Sequence, residues 1–234
     1  MREGPSSMRP SHEDLGLFVE RLRPSIDETI RKLAKAKFRE DPIGGRKFSR
    51  ATSIMSSAYK RHGQILGHAL IERLRDCSRF QVWREDAFKL SPTSLDHAQL
   101  HPFWGKCASL NLPYGEGPKA IPIDVIVFDK ERRTLRSYNV KRGNGAYDAG
   151  KKDAIQSELL RVQMLLRGYG AVSGFDADIA EARIVFYYGL RSIEAPVSLI
   201  SDELDDHFEF PVKSAIEAVN EYFRSRLYRL IDNE

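Results

Sequence analysis

The spacing of apolar positions changes several times along the chain, and each change marks a predicted element. Leu15, Phe18 and Leu22 share one helical face, and Pro24-Ser25 is predicted to open a new helix, with Ser25 and Glu28 spaced as a capping box. That helix is expected to run to about Arg39 and to stop near "DPIGG" (41–45), whose paired glycines make the best internal hinge. A long helix from about Ser49 to Asp76 follows, with Ile54, Ala58, Ile65 and Ala69 on its apolar side, joined by Leu66, Leu70 and Leu74. "RFQVWREDAFKL" (79–90) is rich in strand formers and reads as a strand or hairpin. "AIPIDVIVFD" (120–129) and "RTLRSYNVK" (133–141) flank a charged turn at Lys130, Glu131 and Arg132, the clearest hairpin in the chain. Helical spacing returns in "KKDAIQSELLRVQMLLRGYG" (151–170), with Ile155, Leu159, Val162 and Leu166 on one face and Gly168 or Gly170 as the stop. "ARIVFYYGL" (182–190) reads as a buried strand. The last helix, about Pro211 to Leu230, turns Ile216, Val219, Phe223, Leu227 and Leu230 inward.

Two segments carry no sustained period. Residues 1–11 are expected to be disordered, and the stretch from 91 to 119 holds four prolines and reads as a long loop. A loop of that length inside a compact domain is usually functional. The order after the glycine hinge is helix, strand, strand, strand, helix, strand, helix. This predicts a mixed α/β (α+β) core built around a meander, with one strand added after a crossover helix. Residues 1–45 are expected to form a helical arm with a disordered start, and 46–234 the main α/β domain.

Composition narrows the class without deciding it. Hydrophobic residues make up 41% and charged residues 30% of the 234 positions, an ordinary balance for a globular protein. No apolar run approaches a membrane span, and the N-terminus lacks the apolar segment of a secretory signal. Cys77 and Cys107 form no disulfide framework and no metal-type pair, so a cytoplasmic protein with reduced thiols is expected. The net charge is only +4, but it is unevenly spread. Lys130 to Lys152 holds eight Lys and Arg against Glu131 and Asp148, whereas "SDELDDHFE" (201–209) holds five acids and no Lys or Arg. Such polarity suits a polyanion partner, because one basic face gathers phosphates.

Candidate chemistry gathers at the hairpin. Asp124 interrupts "IPIDVIVF", whose other residues favour burial. A carboxylate there must be paired, bound to metal or protonated. If the turn is centred on Glu131, Asp124 faces Tyr138 or Asn139. In the register that pairs it with Asn139, the side chains of Asp124, Asn139 and Lys141 project to one side of the sheet. The simplest alternative is a cross-sheet salt bridge between Asp124 and Lys141. "KRGNGAYDAGKK" (141–152) follows, with glycines at 143, 145 and 150 that let backbone approach a phosphate closely. Lys151 and Lys152 oppose the helix macrodipole where they stand, and phosphate contact explains them better than helix stability does.

Asp124 after "PI", a short hairpin, then "NVK" and a helix resembles the PD-(D/E)xK nuclease superfamily, with its restriction-endonuclease-like αβββαβ core. The resemblance spans Ser49 to Leu190 and leaves the N-terminal arm and the C-terminal helix unassigned. It implies a metal-dependent DNA endonuclease that hydrolyses phosphodiester bonds, dimeric if both strands are cut. By position, Asp124 matches the motif's metal-binding aspartate and Lys141 its lysine. Val140 offers a backbone carbonyl to the same Mg2+ or Mn2+. Glu72 sits where many members carry a glutamate on the helix before the first strand, although an exposed helical glutamate is the plainer account of it. Arg142, Lys151, Lys152 and Gln156 are the expected DNA contacts. The departure is Asn139, where the family has Asp or Glu. Either the acid has migrated to Asp148, Asp153 or Glu158, or Asn139 is a weak ligand, or the protein is an inactive DNA-binding or assembly scaffold. His68 reads as an ordinary helix residue, and Trp83, Trp104, Tyr187 and Tyr188 as core or strand residues rather than base-stacking platforms.

Overall fold

A computed structural model describes residues 11–100 and 109–232. Residues 1–10, Trp104 and Cys107 lie outside the described residues. The chain divides by compactness into two units. One unit comprises residues 1–73 with 205–234, the other residues 74–204.

The first unit is helical. Helix α1, His12–Ala34, begins at a capping box in which Ser11 Oγ accepts the N–H of Asp14 and the Asp14 carboxylate accepts the N–H of Ser11. It passes through Pro24 without a break, so the expected restart at Ser25 is replaced by one continuous helix. The reason lies in the pattern: buried Phe18, Leu22, Ile26, Ile30 and Leu33 keep one helical stripe across the proline, which sits on the exposed side. Helix α2, Gly45–Arg75, is preceded by a turn in which Asp41 Oδ1 accepts the N–H groups of Ile43 and Gly44. The C-terminal helix α6, Lys213–Asp232, buries Ala215, Ile216, Val219, Phe223 and Leu227 and packs on α1. Asp27 on α1 ties the two by accepting from Tyr222 at 3.0 Å and from Arg226 at 2.9 Å.

The second unit is a five-stranded mixed sheet in sequential order: β1 Phe80–Leu90, β2 Lys119–Asp129, β3 Thr134–Lys141, β4 Ile179–Phe186 and β5 Ser198–Ile200. β1, β2 and β3 form the antiparallel meander, and β4 joins β3 in parallel after the crossover helix α4, Ala149–Val172. β5 adds a further parallel strand, too short to stand out in the apolar pattern. Asp129 closes the β2–β3 turn: its carboxylate takes the Arg79 guanidinium and the N–H groups of Glu131 and Arg132. Ile126, Leu135, Ala182, Val162, Leu165 and Leu166 make the core between the sheet and α4.

The segment from 91 to 119 is not a plain loop. Pro92–Leu100 forms helix α3, held to α4 by Arg161, which donates to Ser94 Oγ and the Ser91 carbonyl. Further on, Leu112 N–H donates to Met164 O at 2.7 Å. A Cβ on Gly168 would lie 2.7 Å from Tyr114 N, so this glycine sits inside α4 to admit a neighbouring backbone rather than to end the helix. With α3 and that backbone on one side and the sheet on the other, every residue from 159 to 166 is buried. The acidic run 201–209 forms a 3₁₀ turn, Ser201–Glu203, and the short helix α5, Leu204–Phe208. Its Asp205 accepts the N–H groups of Val212 and Lys213 at the start of α6.

Candidate active site

The pairing of β2 with β3 runs from Asp129↔Thr134 to Val125↔Tyr138, the register on which the Asp124–Asn139 placement depends. On its other side, β2 carries an irregularity. Trp83 pairs with Ile126 and Glu85 with Ile123, so Asp124 and Val125 together oppose Arg84 alone. Asp124 therefore lies in a β-bulge, a device that re-aims side chains and ends pairing. The core cluster takes positions 121 and 123 and then 126. Apolar Val125 and Val127 nevertheless keep the sequence alternation in one phase through the aspartate, so the bulge leaves no trace in the sequence.

The ladder between β2 and β3 stops where the bulge lies. The next β3 donor is the N–H of Val140, and Asp124 Oδ2 accepts it at 2.8 Å. The carboxylate thus lies against the peptide joining Asn139 to Val140. Among the described residues Asp124 makes no ion pair, so the cross-sheet salt bridge with Lys141 is replaced by this charge-assisted hydrogen bond to backbone. Asp124, Asn139 and Lys141 are all half-buried, while Val140 between the last two is buried. Along β3, Asn139 pairs with Ile184 and Lys141 with Phe186 of β4. Ile184 and Phe186 pack with Leu159 and Ile155 of α4, so Asn139 and Lys141 occupy the α4 side of the sheet.

The basic loop leaves this end of β3 on a fixed backbone. Tyr187 N–H donates to Lys141 O at 2.9 Å, Tyr188 N–H to Arg142 O at 2.7 Å and Leu190 N–H to Gly143 O at 2.9 Å. Gly143 has φ +67°, and a Cβ there would lie 2.7 Å from Phe186 Cβ, so only glycine fits. Tyr147 rests edge-on against Phe186 at 6.0 Å, and its N–H donates to Ser192 Oγ. Lys151 then stands over the Tyr147 ring, its Nζ 3.9 Å from the centroid. A chain of contacts, Lys141 beside Phe186, Phe186 on Tyr147 and Tyr147 under Lys151, links the two lysines. Tyr147 has no signal in periodicity, and only its place among glycines and lysines hints at it.

The remaining expected residues separate into used and unused groups. Asp148 is the N-cap of α4, its Oδ1 accepting from Lys151 N–H at 2.9 Å. Glu158 Oε2 lies 3.4 Å from Lys119 Nζ. Asp153 and Gln156 are exposed on α4, and Lys152 is half-buried there. Glu72 belongs to the first unit, where its carboxylate lies 3.9 Å from both Arg21 Nε and His68 Nε2. Trp83 and Tyr187 are packed, Trp83 stacking on Phe175 and donating to Tyr169 OH, whereas Tyr188 is exposed.

The donors at the bulge are all oxygen: the Asp124 carboxylate, the Asn139 amide and the Val140 carbonyl. Hard cations take such ligands, and Mg2+ commonly binds one or two carboxylates while keeping several waters. Among the described residues no three His, Cys, Asp or Glu side chains gather as a metal cluster, so a cation here would meet a low-charge set. No helix among the described residues is long and apolar enough to cross a membrane. Comparison of the chain with protein-family models, with curated proteins and with solved structures gave no match.

Proposed function

We propose that this protein is a metal-dependent DNA endonuclease of the restriction-endonuclease-like, PD-(D/E)xK class. The observation that carries this reading is the opening of the β2–β3 ladder at Asp124. A carboxylate set in an apolar strand lies against the Asn139–Val140 peptide, one residue from Lys141, where a basic glycine loop begins. A meander followed by a crossover helix and a parallel strand is the element order that class requires.

Asp124, the Asn139 amide and the Val140 carbonyl are the groups that would hold Mg2+ or Mn2+, which polarises a phosphodiester and lowers the pKa of a bound water. Lys141 orients the attacking water or offsets the charge that develops on the phosphate. Arg142, Lys151 and Lys152 bind the backbone, and Lys151 is held by its contact with Tyr147. Because Asn139 adds no charge, a cation held there would be bound more weakly than by two carboxylates. A homodimer is required only if both strands of a duplex are cut.

One observation favours a second reading, a DNA-binding or assembly protein without catalysis. The Asp124 carboxylate at the bulge already accepts a backbone N–H, and its neighbour at 139 is neutral. Incubating the purified protein with single-stranded and duplex DNA, with and without magnesium or manganese, separates the two. Cation-dependent cleavage supports the endonuclease, and binding without cleavage supports the scaffold. Failure to bind any DNA removes both.

A further inference from the structure

Tyr187 and Tyr188 are adjacent, yet their surroundings are opposite: Tyr187 is 1% exposed and Tyr188 47% exposed. The exposure of Tyr188 is built into a rigid turn. Its own N–H is bonded to Arg142 O, and Gly189 N–H returns to Phe186 O at 3.0 Å. Gly189 takes φ +86°, a left-handed conformation that suits glycine at the turn. The ring meets Tyr187 edge-on at 5.5 Å, and the Arg142 guanidinium lies 5.7 Å from its centroid. An aromatic ring is thus fixed at the surface beside a cation, directly alongside the loop that follows Lys141.

We infer that Tyr188 is a nucleobase-stacking residue and that the site takes single-stranded or locally unpaired nucleic acid. This rests on the nucleic-acid reading above and adds the class of substrate to it. Bases stack on exposed aromatic faces without regard to sequence, while a neighbouring guanidinium takes the phosphate. In a duplex those base faces are covered by neighbouring base pairs, so a ring presented this way finds a partner only where a base is unpaired. The fixed backbone keeps the ordering cost low, since the turn is held before any strand arrives.

The test is equilibrium binding without divalent cation, using fluorescence anisotropy of an oligothymidine, an abasic strand of the same length and a hairpin duplex. The wild type is expected to bind the oligothymidine at least about tenfold more tightly than the abasic strand, the size of one base stack. Tyr188→Ala removes that preference and leaves affinity for the abasic strand unchanged, and Tyr188→Phe keeps it. Tyr188→Leu, which retains an apolar side chain at the turn, is expected to behave as Tyr188→Ala if both melt with the wild type. A preference that survives in Tyr188→Leu overturns the proposal, as does an equal loss on both strands or tighter binding of the duplex. If the wild type binds none of the three, the nucleic-acid reading fails, and this inference fails with it.

Discussion

At Asp124 one side chain has two duties that substitution can separate. It accepts the Val140 N–H where the ladder opens, and it supplies negative charge against the Asn139–Val140 peptide. Asp124→Ala leaves that N–H without its acceptor and is expected to destabilise the fold by about 2 kcal/mol, the range for a hydrogen bond to a charged group. Asp124→Asn keeps an oxygen acceptor without the charge. It should unfold in urea close to the wild type yet lose cation-dependent cleavage. Equal cleavage by wild type and Asp124→Asn would place the chemistry elsewhere. Asn139→Glu tests the neighbouring position in the opposite direction. With a second carboxylate at the bulge, Mn2+ affinity measured by calorimetry should rise and cleavage should increase. If the acid has migrated instead, Asp153→Ala is the informative variant, because Asp148 caps α4 and Glu158 pairs with Lys119. Asp124 stood out as a carboxylate in an apolar strand, but the bulge did not, because apolar residues at 121, 123, 125 and 127 keep one alternation through it. The hydrogen bond to Val140 was not readable, because it depends on where the neighbouring ladder ends.

Between elements, the β3–loop–α4 connection and the hairpin turn hold the site in place. Gly143→Ala forces a Cβ against Phe186 in a left-handed backbone. It should cost about 3 kcal/mol and lower the melting temperature. The hairpin turn gives a pH signature. Burial raises the Asp129 carboxyl, but the Arg79 guanidinium and the N–H groups of Arg132 and Glu131 outweigh it, and the net pKa is lowered. A carboxyl lowered on folding contributes stability that is complete above its unfolded pKa of about 3.9 and is lost as pH falls through the folded value. The urea midpoint should therefore fall with acid below about pH 4, and Asp129→Asn should flatten that limb while costing roughly 3 kcal/mol near neutrality. A wild-type acid limb unchanged in Asp129→Asn would assign the acid sensitivity to other carboxyls, with the Arg136–Glu181 pair next in line.

Over the whole molecule, the proposed function requires a surface on which a polyanion would lie. Arg142, Lys151 and Lys152 belong to the second unit, at the end of β3 and the start of α4. Replacing all three with alanine should weaken DNA binding and flatten the plot of log K against log salt by about one unit for each phosphate that is no longer neutralised. An unchanged slope with unchanged affinity would move the binding surface off this loop. Other charge in the basic stretch from Lys130 to Lys152 is spent on the fold: Arg133 pairs with Asp178 and Arg136 with Glu181. The acidic run 201–209 is likewise structural, with Asp205 at the start of α6 and Glu203 paired with Arg191. Part of the uneven charge of the sequence is thus paired within the fold, and Arg142, Lys151 and Lys152 carry the prediction.

Local patterns in the chain were enough to determine the meander strands, β4 and the long helices α2, α4 and α6, but not α3, α5 or β5. Alternation and turn residues place β2, β3 and their register, because a one-residue slip would turn every buried side chain outward. Helical spacing places α2, α4 and α6, and the same stripe in α1, followed through Pro24, carries more weight than the proline does. Tertiary structure decided the rest. The 91–119 segment lacks an amphipathic stripe because α3 and the chain after it are held to α4 by Arg161, Leu112 and the space at Gly168. The unit boundary inside α2 follows from long-range packing of residues 205–234 with the N-terminal helices, which no local pattern records. At the site, the sequence determined which residues stand near one another along β2 and β3. Only the fold decided that Asp124 bonds backbone rather than Lys141, and that Tyr188 faces outward while Tyr187 is buried. Hydrogen-bond partners and exposure depend on where a ladder stops and which chain lies alongside, and those are properties of the assembled sheet.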